Sequence, residues 1–90
     1  MKIPNKIKVG GHIYKIVFQK TTDLADNGCG KIDRVKGVIF IDKDLIQSEK
    51  ELTFFHEVIH SINTELKELE VDFLAQAIYA FLKDNNLLKP

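Results

Sequence analysis

The chain has 90 residues, of which 44% are hydrophobic and 29% are charged, and its 13 basic and 13 acidic side chains give a formal net charge of zero. This length supports one folded domain with a modest core, and the composition is that of a globular chain, which excludes a disordered tail. Because lysine and arginine form no cluster apart from the acids, we expect no nucleic-acid partner.

Cys29 is the only cysteine, which excludes an internal disulfide and a cysteine-based zinc site. A lone thiol suits a reducing cytoplasm, and we interpret it as incidental because the sequence shows no neighbouring base. The sequence contains no signal-peptide core and no segment that could span a membrane. We therefore predict a cytoplasmic domain without a membrane partner.

The first predicted element is a β-hairpin from Lys6 to Lys20 with its turn at Gly10-Gly11. Glycine supplies the positive φ that a two-residue turn requires. Folding about this turn sets Val9 opposite His12, which we interpret as a strand-end histidine near the turn. It also places five side chains on one face of the hairpin: Ile7, Val9, Tyr14, Ile16 and Phe18.

A second extended region follows a predicted surface loop at Thr21–Gly30, which is rich in turn residues. Its main strand is expected at Gly37–Asp42, where the side chains are apolar on both faces of the strand. A shorter partner strand is expected at Lys31–Asp33. A strand of this composition is normally covered on both sides, so we expect a helix against one face.

Two helices are predicted after the strands. The capping-box pattern Ser48-x-x-Glu51 predicts Ser48 as the N-cap of a helix that ends near Asn63 or Thr64. A short turn at Glu65–Lys67 precedes a last helix from Glu68 to Lys83. The apolar side of the first helix is predicted to be Leu52, Phe55, Val58, Ile59 and Ile62, and that of the second Val71, Leu74, Ala75, Ile78, Phe81 and Leu82.

These elements predict the α+β fold class, with one domain over residues 1–90. A small antiparallel sheet, formed by the N-terminal hairpin and one or two further strands, is expected to pack on the two C-terminal helices. The first of these helices is expected to be central.

The first predicted helix carries His56-Glu57-Val58-Ile59-His60, the pattern H-E-x-x-H. Residues i and i+4 share a helix face, so both imidazoles can point to one position, where two neutral ring nitrogens suit zinc. Glu57 lies about 100° further around the helix, beside the open position of the metal, where a general base is needed. The alternative is a buried helix whose histidines only pack or cap, which requires other partners for all three groups.

The third ligand is expected at the start of the last helix, because catalytic zinc usually has three protein ligands. The short turn makes the two helices antiparallel and close. Glu68 and Glu70 flank the predicted core-facing stripe, whereas Asp72 is expected to point further toward solvent. The register of the helical hairpin slightly favours Glu70, which should lie level with His60. Both acids can alternatively be interpreted as groups that complement the helix dipole.

A resemblance to a known family rests on three stretches: Thr53-x-x-His56-Glu57-x-x-His60, Glu68-x-Glu70-Val71-Asp72-x-Leu74-Ala75, and Leu82-Lys83-Asp84-Asn85. With these the chain resembles small zincin-like proteins encoded by phages and mobile elements, which look related to the ImmA/IrrE-type metallopeptidases. The resemblance implies a minimal zincin-like fold and Zn²⁺ held by His56, His60 and a glutamate of the last helix, with Glu57 as the catalytic base. In this pattern Glu68 is the more regular ligand position. The link after His60 is shorter than these families usually have, and Glu68 and Glu70 stay as alternatives.

The leading prediction is a zinc-dependent metallopeptidase that hydrolyses a peptide or protein. Its substrate could, for instance, be a regulatory protein in the cytoplasm of a cell that hosts a phage or mobile element. An exposed sheet edge, such as Val38–Ile41, is expected to bind an extended peptide as an added strand. Tyr79, Tyr14 and His12 are the candidate oxyanion partners, although a structural role is the favoured interpretation of each.

The alternative prediction is a catalytically inactive zinc-binding protein of zincin fold that serves as a protein-interaction module, since so short a chain leaves little surface for a cleft. A toxin-like or antitoxin-like partner is a third possibility.

Overall fold

The computed structural model describes residues 1–20 and 29–88. Its elements, in chain order, are β1 Lys6–Val9, β2 His12–Gln19, β3 Gly30–Asp33, β4 Val38–Asp42, α1 Gln47–Ile62 and α2 Glu68–Asp84. The predicted α+β class is confirmed. Residues 21–28 of the loop predicted at Thr21–Gly30 lie outside the described residues.

β1 and β2 form the predicted hairpin, in which Val9 pairs with His12. Gly10 and Gly11 have φ values of 55° and 83°, a left-handed region that favours glycine. Tyr14 is buried in the core. Phe18 is instead 41% exposed, and the Lys50 ammonium lies 5.6 Å from its ring centroid, so this end of the hairpin face lies at the rim of the core.

The four strands form one mixed sheet with the order β1-β2-β4-β3. β2 and β4 run parallel, with Ile16 beside Ile39, whereas β3 runs antiparallel to β4. The sheet is therefore mixed rather than wholly antiparallel. β4 lies between β2, which runs parallel to it, and β3, which runs antiparallel to it. This central position explains the apolar sequence of β4, whose Ile39 and Ile41 are both 0% exposed.

α1 packs against β3 and β4, and α2 packs on α1. The core consists of Tyr14, Ile16, Ile39, Ile41 and Phe54. The prediction that Ser48 caps α1 is wrong: the N-cap is Ile46, with no side-chain cap. The reason is that Glu51, which the capping box needs, is buried and accepts hydrogen bonds from Gln47 and Tyr79.

The apolar sides of both helices differ from the prediction. The buried residues of α1 are Glu51, Thr53, Phe54 and Glu57, whereas Ile62 is 67% exposed. Of the stripe predicted for α2, only Val71 and Ala75 are buried, and Phe81 is 61% exposed. α2 packs mainly on one helix, so its apolar surface exceeds what α1 covers. Neither helix in the described part of the chain is long and apolar enough to cross a bilayer.

Candidate metal centre

His56 and His60 lie one turn apart on α1, and their rings point to one position. Their Nε2 atoms are 3.1 Å apart, and their ring centroids are 4.8 Å apart at an interplanar angle of 64°. The i, i+4 spacing places both rings on one helix face, where they can converge.

Glu68, the first residue of α2, completes the group. Its carboxylate oxygens lie 2.6 Å from Nε2 of His56 and 3.0 Å from Nε2 of His60. Burial by itself would raise the pKa of the Glu68 carboxyl, but hydrogen bonds from the two imidazoles outweigh it and lower that pKa. The turn that delivers Glu68 is held by Asn63, whose Oδ1 accepts a hydrogen bond from the Glu65 N–H at 3.0 Å.

Glu70 is not part of this group. Its carboxylate accepts a hydrogen bond from the N–H of Lys67 at 2.8 Å and so caps the start of α2. Two residues along a helix correspond to a rotation of about 200°, which turns Glu70 away from the side on which Glu68 lies. The register argument that favoured Glu70 is therefore wrong, and of the two alternatives the structure brings Glu68 to the histidines.

Asp72 is a site residue that the sequence analysis missed. It was expected to point toward solvent, but its Oδ1 lies 2.8 Å from Nδ1 of His56. The available signal was its i+4 relation to Glu68, which places both carboxylates on one helix face. In the metal-free chain Nε2 of His56 donates to Glu68, whereas with a metal bound the Asp72 carboxylate would hold the ring proton at Nδ1 and leave the Nε2 lone pair for the metal.

The donor set fits a zinc ion. His56, His60 and Glu68 form a group of described residues that could hold a metal ion. Ligand atoms of a tetrahedral zinc site are about 3.3 Å apart, given bonds of about 2.0–2.1 Å. Glu68 Oε1 lies 2.6 Å from Nε2 of His56 and Glu68 Oε2 lies 3.0 Å from Nε2 of His60, and one ligand atom from each of the three residues lies within 4.8 Å of the others, so small side-chain shifts would produce that geometry. Two imidazole nitrogens and one carboxylate oxygen are ligands that zinc accepts.

Glu57 lies between α1 and β3 and is only 4% exposed. Burial raises the pKa of its carboxyl to about 7, with His56 acting in the opposite direction and Glu68 adding to the rise. Gly30 of β3 makes room for it: a Cβ at Gly30 would lie 2.6 Å from Thr53 Cγ2 and 3.1 Å from Glu57 Oε2. Glycine at this position therefore lets the strand approach the helix beside Glu57.

β3 is an edge strand of the described sheet. The Asp42 N–H donates to the Cys29 carbonyl at 2.8 Å, so in the antiparallel pattern the main-chain groups of Gly30 and Ile32 point away from β4. The prediction that Val38–Ile41 forms the exposed edge is wrong, because β4 lies between β2 and β3. Arg34, just after β3, donates from Nη2 to the His60 carbonyl at 2.9 Å and ties this edge to α1.

The remaining candidate residues have other environments. Tyr79 donates its hydroxyl hydrogen to Glu51 at 2.8 Å, and burial together with that carboxylate raises the pKa of Tyr79 to about 12. Tyr14 is buried in the core, and His12 is exposed on β2 beside the hairpin turn. Partial burial and nearby carboxylates raise the pKa of the Cys29 thiol, which opposes a nucleophilic role.

No family model, curated protein or solved structure matches the chain. The interpretation of the site therefore rests on its residues and their geometry.

Proposed function

We propose that this chain is a zinc-dependent peptidase of the H-E-x-x-H class, similar to the zincin-like proteins of phages and mobile elements, and that its setting is cytoplasmic. The observation that carries the proposal is the convergence of His56, His60 and Glu68 within 3.1 Å of one another, with the buried carboxylate of Glu57 next to them in the chain. An ordinary packed helix does not require two imidazole nitrogens to face each other.

His56, His60 and Glu68 are the proposed zinc ligands. Zinc bound there supplies an acidified water molecule and polarises a carbonyl oxygen. Asp72 accepts the Nδ1 proton of His56 and keeps that ring in the orientation in which Nε2 is available.

Glu57 is the proposed general base. Its carboxylate takes a proton from the attacking water and passes it to the leaving amine. In the metal-free chain burial raises the pKa of this carboxyl to about 7, and a carboxyl whose pKa is raised above the ordinary glutamate value holds a proton more readily near neutral pH. Its low exposure keeps bulk water from competing for that proton.

The substrate in this proposal is an extended peptide bound along β3. The outward main-chain groups of Ile32, which is partly exposed, can pair with such a peptide as an additional strand. Gly30, the buried residue two positions earlier on the same strand, approaches Glu57 closely, so a peptide paired at Ile32 lies near the proposed base. Main-chain pairing selects an extended backbone rather than a particular side chain, which makes an unfolded protein segment the suitable substrate.

A second candidate function is a zinc-binding module that acts through protein interaction without catalysis. The observation that favours it is the openness of the site: the Glu68 side chain is 59% exposed, which is more than enclosed catalytic sites usually allow.

The test compares the wild-type chain with Glu57→Gln, and uses Glu49→Gln, an exposed acid of the same helix, as the matched control. Zinc content is measured by elemental analysis, and hydrolysis is measured on a fluorescently labelled unfolded protein. We expect Glu57→Gln to retain one zinc ion per chain and to lose hydrolysis by about a hundred-fold or more, and we expect Glu49→Gln to behave as wild type.

Three other outcomes have distinct meanings. Full hydrolysis by Glu57→Gln would refute the assignment of the base. A zinc-loaded wild type without hydrolysis would favour the interaction module. A wild type that folds but binds no zinc would overturn both candidates.

A further inference from the structure

α2 is apolar around most of its circumference. Apart from Glu70 and Asp84 near its two ends, its charged and polar side chains lie on one arc that contains Glu68, Asp72, Gln76, Tyr79 and Lys83, while the side toward α1 contains the buried Val71 and Ala75. Opposite α1 lies a third surface, which we name the outer stripe: Leu69, Phe73, Leu74, Ala77, Ala80 and Phe81. A helix that is apolar on two opposite sides is normally covered on both.

The outer stripe is exposed along its whole length. Leu69 is 81% exposed, Phe73 73% and Phe81 61%. An open groove of about 390 Å³ lies at its N-terminal end, lined by Leu66, Leu69, Glu70, Phe73 and Leu74. With ordinary areas for large apolar side chains, these exposed fractions correspond to roughly 500 Å², which is within the range of the largest apolar patch that a monomer usually exposes.

We propose that the outer stripe binds the same stripe of a second copy of this chain, with the two α2 helices antiparallel about a two-fold axis at Ala77. The area supports this occupant, because a stable interface buries about 800 Å² on each partner. The apolar side chains of the stripe supply most of that area, and the alanines and the polar rim supply the rest.

The order of large and small side chains is self-complementary about Ala77. Phe73 lies four residues before Ala77 and Phe81 four residues after it. Viewed down the helix axis, the two rings lie about 40° to either side of the Ala77 side chain. A two-fold axis there brings Phe73 of one copy against Ala80 of the other, and Phe81 against Leu74 at the edge of the groove. Each large ring thereby meets a smaller side chain, and the same contact occurs twice.

The charges on this side of the helix favour a protein partner over a bilayer surface. The charged residues within the angular range of the outer stripe are Glu70 and Asp84, one at each end. Both are acidic, whereas helices that lie on anionic lipid present lysine and arginine. The two-fold axis brings Glu70 of one copy level with Asp84 of the other at the exposed ends of the interface, where water screens their repulsion. The polar arc with Glu68 and Asp72 lies on the other side of α2, so the proposed dimer leaves the candidate metal centre open.

The first test is sedimentation of the full chain over a range of concentrations, with Phe73→Glu and a matched control, Val35→Glu, whose side chain is 97% exposed in the turn between β3 and β4. We expect a wild-type dimer, an unchanged dimer for Val35→Glu, and a dissociation constant raised at least about thirty-fold for Phe73→Glu. Thermal melting followed by circular dichroism checks that both variants fold. A wild type that stays monomeric at all concentrations, or one that binds anionic vesicles as a monomer, would overturn the proposal.

The second test places a cysteine on the proposed axis. In a Cys29→Ser background, Ala77→Cys should form an intermolecular disulfide under mild oxidation, because residues at a helix crossing with small side chains approach to disulfide distance. Gln76→Cys, the adjacent exposed position on the polar arc, should not. Equal rates of cross-linking for the two variants would exclude an interface centred on Ala77.

Discussion

The Oδ1 atom of Asp72 lies 2.8 Å from Nδ1 of His56, so a carboxylate of α2 orients a histidine of α1. This contact links the two helices at the same point as the contact between Glu68 and the other nitrogen of the ring. His56 is therefore held from both sides by acids one helical turn apart.

Replacement of Asp72 by alanine should weaken zinc binding about 10- to 100-fold, because the ring loses the group that sets its orientation and its proton position. Asp72→Asn should have an intermediate effect, since its amide oxygen can still accept the Nδ1 hydrogen. Competition with a chromophoric chelator measures the affinities, and Asp84→Asn at the far end of the helix is the control. Equal affinities for Asp72→Ala and wild type would show that the contact does not position the ring.

Glu68→Gln should lose zinc and Glu70→Gln should retain it. The Glu68 carboxylate lies within 3.0 Å of both imidazoles, and a neutral amide is a far weaker ligand. The side-chain amide oxygen introduced by Glu70→Gln would still accept the hydrogen bond from the Lys67 N–H that caps α2, so both variants should fold. Elemental analysis after purification without a chelator measures the result. The reverse pattern would assign the third ligand to Glu70.

Gly30→Ala should lower the free energy of unfolding by about 1–3 kcal/mol, because the new methyl group would overlap Thr53 and crowd Glu57. Hydrolysis should fall as well, since the displaced carboxylate is the proposed base. Urea unfolding measures the stability, and Lys31→Ala, the next and exposed residue of β3, is the control. If Gly30→Ala is as stable as wild type, β3 does not approach α1 as closely as described.

The stability of the metal-free chain should fall on the acid side because of Glu51. Burial would raise the pKa of this carboxyl, but hydrogen bonds from Gln47, Tyr79 and the N-terminal ammonium lower it below its ordinary 4.5. A folded-state pKa below the unfolded value means that the stabilisation is complete above about pH 4.5 and is lost as the pH falls through the folded value.

Glu51→Gln should therefore be less stable than wild type at pH 7, and its stability should decrease less steeply between pH 5 and 2. Urea titrations in the presence of a chelator at several pH values measure both effects. Glu49→Gln, at an exposed position of the same helix, controls for the general loss of one acid. Parallel pH profiles for Glu51→Gln and wild type would contradict the prediction.

Local patterns determined much of this protein. Gly10-Gly11 determined the hairpin turn and its register, since two residues with positive φ allow only one way to pair the flanking strands. The i, i+4 spacing of His56 and His60 placed the two imidazoles on one face of their helix. The α+β class followed from the order of strand-like and helix-like segments.

The tertiary structure decided what local patterns leave open. β4 became the central strand because β3 pairs on its outer side, and Glu51 became a buried acceptor because Tyr79 reaches it from another helix. The choice of Glu68 over Glu70, and the position of Asp72, depended on how α2 is rotated against α1. That rotation arises from packing between segments distant in sequence, so no pattern within either helix could determine it.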